Sequence, residues 1–141
     1  MPVRIGIVGS RSRTSQEDYN KVLLALEKAI YHSKGTTALE TGNNTIVGAI
    51  VHYGDIQLVS GGCEQGADQW AEQLAKIMGL PIMIYNAPWK TLGRGAGPIR
   101  NEWIAKNADI LIACMSTVSR GTKDCIDRFK KAHPSGELII V

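Results

Sequence analysis

Hydrophobic residues along this chain follow two rhythms that alternate. Short, nearly continuous apolar runs occur at Val3–Val8, Ile56–Val59, Ile82–Tyr85, Ile110–Cys114 and Glu137–Val141. Runs of this length, with few polar interruptions, predict strands buried on both faces. Between them the apolar positions recur at helical spacing. Tyr19, Val22, Leu23, Leu26 and Ile30 predict a helix from about Gln16 to Ser33, opened by the capping-box-like Ser15-Gln16-Glu17-Asp18. Ala67, Trp70, Ala71, Leu74, Ala75 and Met78 predict a second, stopped by Gly79-Leu80-Pro81. Pro98 suits the first turn of a third, which carries Arg100, Asn101, Trp103 and Ile104. A last helix follows Gly121-Thr122, with Asp124/Arg128 and Asp127/Lys131 spaced for i,i+4 charge pairs.

Two stretches break the alternation. Asn86 to Gly97, with Ala87-Pro88-Trp89-Lys90 and Gly93-Arg94-Gly95-Ala96-Gly97, reads as a loop. Lys34 to Asp55 holds the breaker clusters Gly35-Thr36-Thr37 and Thr41-Gly42-Asn43-Asn44. Within it Ile46–Tyr53 fits either a short helix or an extra strand: β-branched content favours the strand, while Gly54-Asp55 fits a helix end and tips the reading to helix. Strands alternating with helices imply right-handed βαβ units. The expected fold is α/β: a three-layer, Rossmann-like, doubly wound parallel sheet of about five strands, in a single domain over residues 1–141. In such folds ligands bind beyond the carboxyl ends of the strands, near the switch in strand order.

Composition narrows the function classes. With 141 residues, 44% hydrophobic and 21% charged, the chain has the makeup of one globular domain. A net charge of +3 with 6% aromatic residues gives little for tracking a nucleic-acid strand, so a nucleic-acid partner is not expected. No apolar stretch is long enough to span a bilayer and no leader pattern opens the chain, which sets cytoplasmic as the expected location and excludes a membrane partner. Cys63, Cys114 and Cys125 lack metal or disulfide spacing, and His32, His52 and His133 are scattered. No metal or cofactor is therefore expected. Cys114, inside an apolar run, reads as core.

What chemistry there is gathers after the strands. Ser60-Gly61-Gly62-Cys63-Glu64-Gln65-Gly66-Ala67-Asp68 joins a predicted strand to a predicted helix. Gly61 and Gly62 permit positive φ and close approach of a ligand to the backbone, and Gly66 opens a helix whose first amides lack intrahelical partners. Such a site favours an anion, usually phosphate; a bare tight turn is an equal alternative. Gly9-Ser10-Arg11 closes the first strand with a turn, a hydroxyl and a guanidinium. Arg13, Lys90, Arg94, Arg120 and Lys123 fall at the same edge, as do Glu64, Glu102 and Asp124, so the edge is not uniformly basic. Arg13 and Arg94 read as solvated surface residues. Arg100, at a helix start, is the strongest candidate for binding phosphate or carboxylate through its planar fork. Asp68 would repel a phosphate on its own helix, and is assigned to a ribose or base contact or to capping. Trp89 offers a face on which a base can stack, or else packs as a lid or dimer contact.

Gly9-Ser10-Arg11, Ser60-Gly61-Gly62 with Gly66-Ala67-Asp68, Ala87-Pro88-Trp89, Ala96-Gly97-Pro98-Ile99-Arg100-Asn101 and Arg120-Gly121-Thr122 together resemble the YspA-like branch of the SLOG superfamily. That superfamily includes the lysine-decarboxylase-like "Lonely Guy" phosphoribohydrolases and the DNA-processing protein DprA. The resemblance implies a domain that binds a nucleotide or nucleotide-derived phosphate ligand, as sensor or processing domain, often as a dimer or larger homo-oligomer. Its ligand-binding candidates are Gly9, Ser10, Arg11, Ser60, Gly61, Gly62, Gly66, Asp68, Trp89, Arg100, Asn101, Gly121 and Thr122. Two alternatives come with it: a nucleoside-5′-monophosphate phosphoribohydrolase, with Arg100 catalytic, and a DprA-like single-stranded DNA-binding protein. The hydrolase signature is incomplete, because Cys125 stands where its glutamate belongs and no Gly-Gly pair precedes Gly121-Thr122. Asp124 lies about 100° from that position around a helix.

Overall fold

The computed structural model describes residues 3–34, 56–63, 66–117 and 120–141. Five strands are present: β1 Val3–Gly9, β2 Ile56–Ser60, β3 Ile82–Ile84, β4 Ile110–Cys114 and β5 Glu137–Ile140. The helices are α1 Gln16–Lys34, α2 Ala67–Met78, α3 Trp89–Leu92, α4 Ala96–Asn107 and α5 Arg120–Ala132, with a 3₁₀ turn at Gly93–Gly95 between α3 and α4. The expected elements around Ile46–Tyr53 lie outside the described residues.

All four strand pairings are parallel, in the order β3-β2-β1-β4-β5. The chain therefore winds outward from β1 to β3, returns across the sheet, and winds outward again through β4 and β5. This is the doubly wound Rossmann-like arrangement, and its switch point lies between β1 and β4, where Ile5 pairs with Ile110 and Gly9 with Cys114. Parallel strands need such crossovers, and the helices they contain cover both faces.

Alternation along the strands assigns the two faces. Ile5, Ile7, Ile56, Leu58, Ile110, Ile112 and Cys114 point to the side of α1 and α2, where they pack with Val22, Leu26, Ala71 and Leu74. Val8, Val59, Leu111 and Ala113 point to the other side, against Ile104, Ala105, Cys125, Ile126 and Phe129 of α4 and α5. Cys114 is core, as expected, and burial raises its thiol pKa. Gly6 lets α4 come close: a β-carbon there would lie 3.0 Å from both Ala108 Cβ and Leu111 Cδ1.

Local rules explain the helix ends. Asp18 N–H donates to Ser15 Oγ at 3.0 Å and Ser15 N–H to Asp18 Oδ2 at 3.4 Å, a reciprocal capping box. Gly79 closes α2 in the left-handed conformation (φ 68°), its N–H bonded to the Ala75 carbonyl. One expectation is corrected. Residues 86–97 are not a continuous loop, because Leu92 N–H bonds to the Pro88 carbonyl at 2.9 Å and closes the α3 turn. The glycines suggested a break; Gly93, at φ 54°, and Gly95 form the corner between α3 and α4, while Gly97 lies in the first turn of α4.

Candidate functional site

β1 and β4 stay paired to their carboxyl ends at the switch point, Gly9 opposite Cys114, and the segments that leave them frame a cleft. Its walls come from Gly9 at the end of β1 with Ser10 and Arg11 after it, Cys63 and Asp68 around the start of α2, Arg100 and Asn101 on α4, and Gly121 and Thr122 on α5. Val8, Ile104 and Cys125 supply an apolar floor to this inner cleft, which encloses about 300 Å³. A second, outer cleft of about 460 Å³ adjoins it, lined by Gly61, Gly62, Asn86, Ala87 and Trp89. Arg11, Cys63 and Arg100 line both. Both volumes fall within the usual span for small-molecule sites.

The β2–α2 loop is held from within. Ser60 is fully buried, and its Oγ accepts the Gly62 N–H at 3.2 Å while donating to the Asp68 carbonyl at 3.3 Å. Asp68 Oδ2 accepts the Cys63 N–H at 3.2 Å. Two of the amides that a phosphate would use in this loop are thus already satisfied by the chain's own side chains. Gly62 needs its φ of 73°, whereas Gly61 is required for space. A β-carbon on Gly61 would sit 2.8 Å from Arg100 Nη1 and 2.9 Å from Asp68 Oδ2. Gly66 caps α2 at φ 76° with its Cα against the Ser10 carbonyl, which a β-carbon would meet at 2.6 Å. Ser60 and Gly66 therefore shape the loops rather than line either cleft.

Arg100 is positioned by α4. Its Nη1 donates to the Gly61 carbonyl at 3.1 Å and its Nε to Asn101 Oδ1 at 3.1 Å. Asn101, buried beside it, sends Nδ2 to the Gly121 carbonyl (3.2 Å) and to Asp124 Oδ2 (2.9 Å). Asn101 thereby ties the start of α5 to α4. Asp124 is also paired to Arg128 Nε at 2.9 Å, and Arg128 reaches Glu102 at 2.7 Å. These contacts lower the Glu102 pKa, and they occupy Asp124 away from the cleft. On the other wall Ser10 Oγ shares hydrogen bonds with Ser12 Oγ (2.8 Å) and Ser116 Oγ (3.0 Å).

Asp68 is the carboxylate of the inner cleft. Only 6% of it is exposed, and burial pushes its pKa up to about 6 against the opposing pull of the Cys63 N–H, Arg100 and Arg11. The Cys125 thiol, on the floor, is pushed up to about 12, first by burial and then by the nearby Asp68 charge. It stays protonated and cannot serve as the missing carboxylate.

Arg13 corrects the sequence reading. It is not a solvated surface residue: its Nε and Nη2 bond Asp18 Oδ1 at 3.1 and 2.7 Å, and its Nη1 donates to the Met115 carbonyl at 2.8 Å and to the Val141 carbonyl. It ties the β1–α1 turn to the ends of β4 and β5. Arg94, by contrast, is exposed as expected, as are Lys90, Arg120 and Lys123, and none of these lines either cleft. Trp89 does, with 53% of its surface exposed.

The clefts thus bring together Gly9, Ser10, Arg11, Gly61, Gly62, Asp68, Trp89, Arg100, Asn101, Gly121 and Thr122. Asn86, on the outer wall, was missed, although its place directly after a predicted strand was the available signal. Comparison with protein-family models, with curated proteins and with solved structures gives no match.

Proposed function

We propose that this chain binds a nucleotide or nucleotide-derived phosphate ligand in the paired clefts at the carboxyl edge of the sheet, as a sensor or processing domain. The observation that carries the reading is that Arg11 and Arg100 line the wall common to both clefts. Guanidiniums recognise phosphate through paired charge-assisted hydrogen bonds. The first turn of α5, at Gly121 and Thr122, adds amides and the positive end of a helix dipole on the inner wall. Trp89 and Asn86 give the outer cleft an aromatic face and an amide, the means by which a base is held. A homo-oligomer, dimer or larger, and a cytoplasmic location belong to the same reading.

The hydrolase alternative has less support, because Asp124 is committed to Asn101 and Arg128 and the Cys125 thiol is protonated. The single-stranded DNA alternative rests on nothing in the clefts.

Thermal unfolding in the presence of nucleoside mono-, di- and triphosphates tests the proposal. A ligand at a hundredfold excess over Kd stabilises the folded state by about 2.7 kcal/mol. The expected result is a shift with at least one nucleotide, lost in Arg100→Ala. No shift with any, confirmed by calorimetric titration at millimolar nucleotide, would overturn it.

A further inference from the structure

Asn101 lines the inner cleft, yet its amide has no N–H left to offer a ligand. An asparagine amide carries two donors on its nitrogen and an acceptor on its oxygen. Nδ2 donates to the Gly121 carbonyl at 3.2 Å and to Asp124 Oδ2 at 2.9 Å, while Oδ1 accepts Arg100 Nε at 3.1 Å. These partners fix the orientation of the amide. Turned over, it would set its oxygen against two acceptors and its nitrogen against a donor. Asp124 is held in turn by Arg128 Nε at 2.9 Å, and Arg128 lines neither cleft.

Arg100 and Asn101 are neighbours on α4, where successive side chains leave the axis about 100° apart. Their side chains nevertheless meet, because the Arg100 arm is also clamped by the β2–α2 loop. The Gly61 carbonyl accepts Nη1 at 3.1 Å, and a β-carbon on Gly61 would lie 2.9 Å from Arg100 Cδ. Among the described residues the guanidinium makes no further hydrogen bond. Its remaining N–H groups, on Nη1 and Nη2, are those that a phosphate can take.

Resting on the nucleotide reading, we infer that Asn101 is a positioning residue and not a ligand contact: it holds the Arg100 guanidinium by Nε, on a support that runs through Asp124 to Arg128. The Nη edge then meets phosphate already ordered. Ordering a long side chain on binding costs affinity, and Asn101 removes that cost beforehand.

Two readouts test this on the full chain. The first needs no ligand: proton–nitrogen NMR of the arginine Nε–H groups, with the Arg100 signal identified by its absence from Arg100→Lys. A hydrogen-bonded Nε–H should stand apart and exchange slowly with water, unlike those of the exposed Arg94 and Arg120. In Asn101→Ala the Arg100 signal should join the exposed ones. The second is NMR titration with AMP, ADP and inorganic pyrophosphate in a double-mutant cycle of Asn101→Ala and Arg100→Lys. Neither substitution changes a charge. Asn101→Ala should weaken binding by about tenfold, the factor expected when one long side chain has to be ordered on binding. In the Arg100→Lys background, which has no Nε, the same substitution should change affinity by less than about twofold. An equal loss in both backgrounds would mean that Asn101 touches the ligand or only props the junction of α4 and α5; it overturns the inference and leaves nucleotide binding standing. So does an Arg100 Nε–H that exchanges like the exposed ones in the unmodified chain, an outcome read without the need for Asn101→Ala to fold. No binding of any of the three probes at millimolar concentration overturns both readings.

Discussion

Replacing Asp68 by asparagine should stabilise the protein at high pH and have little effect at low pH. The side chain is 6% exposed and forms no ion pair among the described residues, so its charge sits in the cleft wall without full compensation. Burial lifts its pKa from an ordinary 3.8 to about 6. Between those values the folded chain holds a proton that the unfolded chain has released, so stability falls as pH rises through that window. At about 1.4 kcal/mol per pH unit, the whole cost is about 3 kcal/mol above pH 6 or so, and most of it is gone by about pH 4. The substituted asparagine would carry no charge, while its side-chain oxygen can still accept the Cys63 N–H. Urea unfolding of the two proteins at about pH 4, 5, 6, 7 and 8 measures the difference directly. Asp68→Asn should gain up to about 3 kcal/mol over the parent at pH 8, and the gain should shrink steadily towards pH 4. Asp18 and Glu102, whose pKa values are lowered by Arg13 and Arg128, contribute the opposite slope, but they are the same in both proteins and cancel. A gain independent of pH, or a loss at pH 8, would refute the claim that the cleft holds an under-compensated carboxylate.

Two further perturbations separate architecture from site. Arg13→Ala should cost about 1–3 kcal/mol in urea unfolding, because it strands the Asp18 carboxylate and the Met115 and Val141 carbonyls, yet leave within about twofold the affinity for whichever nucleotide the proposed thermal-shift test selects; Arg13→Lys, lacking the planar fork, should not restore the loss. Gly9→Ala should destabilise by about 1–3 kcal/mol, since its β-carbon would lie 2.7 Å from Ala67 Cβ and 2.8 Å from the Cys114 carbonyl oxygen, both on fixed elements; an unchanged melting temperature would show that α2 can move away from β1.

Where apolar periodicity was strong, the sequence was legible. All five strands lie within a residue of their expected limits, because a parallel strand covered on both faces has to be nearly continuous in Ile, Val and Leu. The Ser15/Asp18 box placed the start of α1 for a similarly local reason: its hydrogen bonds join residues three apart. The α3 turn was hidden, since Gly93, Gly95 and Gly97 look like breakers and only the Pro88 carbonyl's bonds reveal a helical turn. Within the candidate site the sequence identified residue types and their common edge, but not their division of labour. Ser60 looked like a ligand contact but lies behind the loop, and the hydrogen bonds that Ser60 and Asp68 make to loop amides are invisible in a linear pattern.

What the sequence by itself determined is the α/β architecture, the strand limits and the rule that loop chemistry gathers at one edge. These follow from local preference and binary pattern, which each segment carries on its own. Only the tertiary structure decided which loops meet. The β3-β2-β1-β4-β5 order brings the turn after β1 beside the starts of α4 and α5, which lie far along the chain from it. It also turned Arg13 inward as a tether and left Arg11, two residues away, in the wall between two clefts. The physical reason is that neighbours across a sheet are set by strand pairing and by the faces that helices must cover. Burial and charge compensation, as at Asp68, exist only once those neighbours are in place.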